Sequence, residues 1–205
     1  MSFNVEVADF VPFEGVGALS NVPTALRNGI YSAAPPITID ITKTYRATFE
    51  TTAGQMLVNL FAVESPIAVN SFVNLARDGF FDGIDFHRVI DEFVAQGGDP
   101  LGTGRGGPGY VFDNETANGL SFDRVGLLAM ANAGANTNGS QFFFTKSVAQ
   151  TAGLTGGFTI FGEILGDQAA LRNIELTHVV LSNGTEEPIP GVVPTRINSV
   201  TIEEL

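Results

Sequence analysis

Two histidines, a serine in an amide-rich tract and a glycine-rich loop are the places where residue type and spacing in this 205-residue chain could support chemistry. His87 stands two residues from Asp85 and Ser140 lies downstream, so a hydroxyl nucleophile activated by a carboxylate-oriented imidazole is the first chemistry to weigh. The surroundings argue against it. Ser140 sits in Asn136-Thr137-Asn138-Gly139-Ser140-Gln141 rather than in a strand-to-helix nucleophile elbow, and an Asp two residues away on a strand shares a face with His87 without thereby reaching its ring. A hydrogen-bonded structural His87 is expected, with hydrolysis at Ser140 as an alternative reading. His178, in the apolar run Thr177-His178-Val179-Val180-Leu181, is expected to be a packed strand residue. Gly102-Thr103-Gly104-Arg105-Gly106-Gly107 satisfies a GxGxxG pattern, but Pro108-Gly109 follows where a helix would have to start, so no helix N-terminus awaits a pyrophosphate. A surface loop is expected there. Cysteine is absent and the carboxylates are scattered, so no metal is expected.

The elements that must position these residues begin at Lys43. Thr44-Tyr45-Arg46-Ala47-Thr48-Phe49-Glu50 alternates, Thr52-Ala53-Gly54 turns, and Gln55-Met56-Leu57-Val58-Asn59-Leu60-Phe61 resumes, which predicts a β-hairpin. Ser65 followed by Pro66, with apolar residues at Val69, Phe72, Val73 and Ala76 and then Gly79, predicts an amphipathic helix with Ser65 as its cap. Short apolar segments at 86–90, 93–96, 126–131, 141–145, 158–164, 177–181 and 196–203 predict further strands, and 167–175 a second helix. Many short strands with few helices point to a mainly β barrel or sandwich. Residues 1–43 read as an N-terminal extension packed on the surface of a 44–205 domain: Pro35-Pro36 has linker chemistry, while Phe3, Phe10, Phe13 and Tyr31 are too apolar for a free tail.

Composition narrows the partners. Hydrophobic residues make up 44% and charged residues 16%, which suits a packed globule. A formal charge of -12 disfavours phosphate backbones and anionic lipid, and no apolar run is long enough to span a bilayer, so neither nucleic acid nor membrane insertion is expected. The start Met1-Ser2-Phe3-Asn4 has no signal-peptide pattern; a soluble cytoplasmic protein is expected, the alternative being an exported one whose signal peptide is absent from this chain.

Three stretches remain: Phe86-His87-Arg88-Val89-Ile90 with Phe93-Val94-Ala95-Gln96-Gly97-Gly98-Asp99; Met130-Ala131-Asn132-Ala133-Gly134 with Asn136-Thr137-Asn138-Gly139-Ser140-Gln141-Phe142-Phe143; and Phe158-Thr159-Ile160-Phe161-Gly162. In these the chain resembles the cyclophilin family of peptidyl-prolyl cis-trans isomerases over about residues 44–203. The resemblance implies a closed eight-stranded antiparallel β-barrel capped by two α-helices, acting as a monomer on Pro-containing polypeptide clients without a cofactor. It implies Arg88 as the catalytic arginine and Phe93, Phe143 and Leu154 as walls of a proline pocket. Gln96, Met130, Ala131, Asn132 and Gln141 would line the peptide groove, with His87 beside the arginine. Val94 stands where the family often has Met, and Phe158 where it carries His or Tyr. Gly153 falls at a position often occupied by Trp, which implies weakened binding of cyclosporin.

The chemistry then needs no titrating group. Rotation about an X-Pro bond faces a barrier of about 18–20 kcal/mol because it breaks amide resonance. A fixed donor aimed at the proline nitrogen stabilises the twisted state more than either planar one, and a guanidinium offers several permanently charged donors. A noncatalytic module that holds Pro-containing segments in the same groove is the alternative.

Overall fold

A computed structural model of the chain describes residues 17–205; Phe3, Phe10 and Phe13 lie outside them. The expected hairpin forms as β1 (Tyr45–Thr51) and β2 (Gly54–Leu60), with Tyr45, Ala47, Phe49 and Thr51 buried at every second position. Thr51 Oγ1 donates to the Gly54 carbonyl at 2.6 Å across the turn, where Gly54 takes a φ of +121°.

Helix α1 (Pro66–Arg77) follows, and nine of its twelve residues are buried. Ser65 occupies the N-cap position but does not cap: its Oγ donates to the Ile160 carbonyl at 2.7 Å. The free N–H groups of Ile67 and Ala68 are bound instead by the Glu115 carboxylate at 3.0 and 2.9 Å, a cap delivered from a distant loop. Strands β3 (Arg88–Val89), β4 (Val94–Gly97), β5 (Leu127–Met130), β6 (Phe142–Thr145), β7 (Ile160–Ile164), β8 (His178–Val180), β9 (Glu186–Pro188) and β10 (Ile197–Glu204) complete the β structure. The other α segments are single turns, α2 (Val148–Thr151) and α3 (Ala169–Arg172), so the second helix expected over 167–175 shrinks to four residues. Among the described residues no helix is long and apolar enough to cross a membrane.

Eight strands form one curled antiparallel sheet in the order β10-β1-β2-β7-β5-β6-β4-β3, with β8 and β9 as a separate hairpin. The ladder does not run all the way round. Between its edges β3 and β10, the chain ahead of β3 meets the start of β10 and the residues before it: Gly83 and Phe86 donate to the Ile197 and Thr195 carbonyls, and Ile197 donates back to Ile84. The architecture is therefore mainly β with an eight-stranded half-barrel, where sequence had suggested full closure.

The sheet's concave face and α1 enclose a core dense in phenylalanine. Phe49, Phe72, Phe142 and Phe144 meet with ring centroids 5.4–6.0 Å apart, mostly edge to face. The chain before β1 contributes to the same packing. Leu19, Tyr31 and Ile39 are buried in this cluster, and Arg27, fully buried, donates to the carbonyls of Val22, Phe80 and Asp82. Gly109, at φ +110°, allows the approach of this segment: a Cβ there would lie 2.1 Å from the Tyr31 carbonyl oxygen.

Candidate functional site

Sheet register places the site. Arg88 on β3 pairs with Gln96 on β4, Gln96 with Phe143 on β6, Phe143 with Ala129 on β5, and Ala129 with Ile160 on β7. One row thus crosses five strands. Side chains alternate faces along a strand, so this row lies opposite the row of Ala95, Phe144 and Leu128 that packs into the core. On the row's face a second apolar cluster forms from Val94, Phe122, Leu127, Ala129, Phe143 and Ile160, and Phe93, Leu154 and Phe158 pack on it while still partly open to solvent.

Phe143 is the floor of this cluster, stacked on Phe122 at 5.9 Å and met edge-on by Phe158 at 5.6 Å. The Arg88 guanidinium carbon lies 5.6 Å from the Phe93 ring centroid, bringing a cation to the rim of an apolar pocket. From Arg88 a chain of amides leads along the groove. Arg88 Nη1 donates to Gln96 Oε1 at 3.2 Å, Gln96 Nε2 to Gln141 Oε1 at 3.0 Å, and Gln141 Nε2 to the Gly106 carbonyl at 2.9 Å. Gln96 and Gln141 also border a cavity of about 650 Å³, together with Ala131, Asn132 and the glycine loop. Asn28 and Gly29 line its far wall, and the Asn28 side-chain oxygen accepts from the Gly107 N–H at 3.0 Å. Asn132 is oriented by donating to the Gly157 carbonyl at 3.0 Å.

The other two bonds of Arg88 were not legible in the sequence. Its Nε and Nη2 donate side by side to the two oxygens of Glu186, at 2.7 and 2.6 Å. That bond and Arg88's charge hold the Glu186 carboxyl below the usual carboxylate range. Phe122, Ala129 and Phe61 also belong to this apolar cluster and were missed by sequence reasoning, because the loop around Phe122 has no period and Ala129 carries no functional group.

Some expected residues stand elsewhere. Met130 is 2% exposed and belongs to the interior cluster, since it is one residue out of step with Ala129. Gly153 sits in a one-turn 3-10 helix, Ala152–Leu154, with open space where a Cβ would point. His87 lies beside Arg88 in sequence, but both ring nitrogens are buried without a hydrogen-bond partner, so the expected hydrogen-bonded histidine is not found. Burial pushes its pKa below the ordinary value, against the pull of Asp99.

The hydrolytic alternative does not assemble. Asp85 pairs with Arg196 at 2.9 Å, and the buried Ser140 Oγ donates to the Gly98 carbonyl at 2.7 Å. His178 is half-buried on β8, bonded to Thr177 at 2.9 Å. The GxGxxG loop already holds an anion of its own, because the Asp99 carboxylate accepts from the backbone N–H groups of Leu101, Thr103, Gly104 and Arg105. Among the described residues no group of three or more His, Asp or Glu is arranged to hold a metal ion.

Known proteins share this sequence pattern and fold. The family described as "Cyclophilin type peptidyl-prolyl cis-trans isomerase/CLD" matches residues 46–201. The chain is 44% identical over 174 residues to "Peptidyl-prolyl cis-trans isomerase A" of Mycobacterium tuberculosis, covering 78% of this chain and 92% of the relative. It is 43% identical over 173 residues to "Peptidyl-prolyl cis-trans isomerase B" of Streptomyces anulatus, covering 77% and 95%. Among solved structures it is similar to a cyclophilin type peptidyl-prolyl cis-trans isomerase of Cryptosporidium parvum crystallised in the presence of the dipeptide Ala-Pro. That match has a TM-score of 0.66 and 35% identity, and covers 77% of this chain and 98% of the other.

Proposed function

We propose that this chain, which belongs to the cyclophilin family of peptidyl-prolyl cis-trans isomerases, turns X-Pro bonds in polypeptides with the Arg88 guanidinium as its catalytic donor. The observation that carries this assignment is the cross-strand row in which Arg88, Gln96 and Phe143 fall in register on one face, with Phe93 at 5.6 Å from the guanidinium. A proline ring seated against Phe93, Phe143, Leu154 and Phe158 is gripped by apolar walls that exclude water. Gln96, Gln141, Asn132 and Ala131 hold the flanking peptide along the groove, with His87 and Val94 in supporting places. One side of the substrate is fixed while the other turns.

As the amide twists, the proline nitrogen regains its lone pair, and an Arg88 N–H pointed there stabilises that state above either planar form. No proton changes hands and no covalent bond forms. The noncatalytic module is not favoured.

Three further parts of the reading rest on the same frame. Residues 17–43 act as a strap that braces the 44–205 domain and one wall of the groove. The bonds between 83–86 and 195–197 close the half-barrel into a functional barrel. Gly153 leaves cyclosporin without one large contact, so the drug binds weakly. The test of the catalytic assignment is Arg88→Ala in an isomerase assay on an X-Pro peptide. Loss of one preorganised donor should cost about a hundredfold in kcat/KM while the fold persists. Activity within twofold of wild type in the folded variant would sink the assignment.

A further inference from the structure

Arg88 sits on an edge strand, and the chain that covers that edge is the start of the β8–β9 hairpin. Val89 N–H donates to Thr177 Oγ1 at 2.7 Å, Thr177 N–H to the Val89 carbonyl at 3.1 Å, and His178 bridges Ile90. Beyond that base, where the Ile189 N–H also returns to the Thr177 carbonyl at 2.8 Å, both strands of the hairpin stand out in solvent. Their register places Glu186 opposite Val180 and Glu187 opposite Val179, so the two carboxylates leave opposite faces. Only Glu186 meets the groove, and it takes two of the five N–H groups of Arg88.

The bonds running Glu186–Arg88–Gln96–Gln141 also order the groove. The cavity bordered by Gln96 and Gln141 lies on one side of Arg88, and the hairpin on the other. A peptide with its proline on Phe143 and one flank in the cavity is taken to pass its other flank by Glu186. It meets there a guanidinium whose charge is already balanced by a carboxylate at 2.6 Å, and that pair remains accessible, with side-chain exposures of 26% and 36%.

We propose that Glu186 is a specificity-determining residue: it clasps Arg88 in the free enzyme, and a cationic substrate side chain beside the proline draws it off, so basic flanks are favoured over acidic ones. The proposal rests on Arg88 being the catalytic donor. A Lys or Arg that takes the Glu186 carboxylate leaves the guanidinium uncompensated, with its Nε and Nη2 donors released for the twisted amide while Nη1 stays on Gln96. A neutral flank leaves the clasp in place, and an acidic flank competes with Glu186 for Arg88 while being repelled by it. Because the pair is solvated, the discrimination is modest, about threefold at low salt, and is screened as salt rises.

The test is NMR exchange on three peptides, Ala-Ala-Pro-Ala and its analogues with Lys or Glu on both sides of the proline, using wild type, Glu186→Gln, Glu187→Gln, Arg88→Ala and the Glu186→Gln/Arg88→Ala double variant. Wild type should turn the Lys peptide about threefold faster than the Glu peptide. Glu186→Gln should speed the neutral peptide about threefold and invert the Lys-over-Glu preference, since the uncompensated Arg88 then attracts the acidic flank. Glu187→Gln, on the other face, should match wild type, and the double variant should show no gain over Arg88→Ala. A Glu186→Gln variant that keeps the wild-type preference, or that slows the neutral peptide, overturns the proposal. Wild-type rates in Arg88→Ala would instead overturn the catalytic assignment, which separates the two failures.

Discussion

Strand β6 sends Phe142 and Phe144 into one environment and Phe143 into another. The first two lie in the interior, at 0% exposure, with Phe49 and Phe72 packed around them. Phe143 is nearly as buried, yet Phe93, Leu154 and Phe158 beside it remain partly open. Similar side chains thus do different work because the neighbours differ. The interior has no surface left for a ligand, whereas the outer cluster is an apolar floor with an unfinished wall, and the row that supplies the floor also supplies Arg88. A binding pocket here is a core left incomplete on one side.

Truncating the interior tests that division most strongly. Phe144→Ala should cost about 3–5 kcal/mol in denaturant unfolding and leave isomerase activity per folded molecule within about twofold. A loss of activity out of proportion to unfolding would break the comparison. Arg27→Met extends the test to the strap: it orphans the carbonyls of Val22, Phe80 and Asp82 and should lower stability by about 2–3 kcal/mol, again with little change in kcat/KM. A change in KM would mean that the strap's hold on the cavity wall through Asn28 matters for binding.

Phe143→Ala sharpens the contrast from the other side. Its stability cost should fall at the lower end of the Phe range, because its neighbours can close in, but kcat/KM should fall about tenfold beyond any unfolding. The smallest expected effect concerns His87. Its folded pKa is depressed by burial, so the unfolded chain takes up the proton first, and stability should decline as pH falls through about 6.5 toward the lower folded value. His87→Gln should flatten that part of the melting-temperature profile between pH 7.5 and 5.5. Activity per folded molecule should stay level from pH 7.5 down to 5.5, and a step below about 6.5 would give His87 a role in the chemistry.

The hairpin β1–β2 and helix α1 were legible because their periods and turn residues are local: alternation from Tyr45 to Thr51, and Pro66 opening the apolar stripe. The run Phe142-Phe143-Phe144 was not legible from pattern, since three identical residues carry no phase; the resemblance singled out Phe143, and pairing with β4 and β5 shows that it faces away from the interior. Met130 was misplaced for the same reason, a single step of register from Ala129. Arg88, Phe93, Gln96 and Gln141 could be picked out by their resemblance to a known family, whereas composition alone pointed to no site. Glu115 capping α1, Arg27 holding carbonyls 52 to 55 residues away, and Glu186 on Arg88 are contacts between distant parts of the chain with no local signature.

The measurement that bears most directly on the catalytic assignment is the cis–trans exchange rate of an Ala-Pro peptide with Arg88→Lys, read by NMR beside the variant's melting curve. Lysine keeps the charge but replaces the planar fork with a single flexible ammonium. If a fixed donor aimed at the proline nitrogen drives the rotation, exchange should slow at least about tenfold in a protein that melts like wild type. Exchange within twofold of wild type would show that charge in the groove, rather than a placed N–H, is all the reaction requires, and would contradict the account.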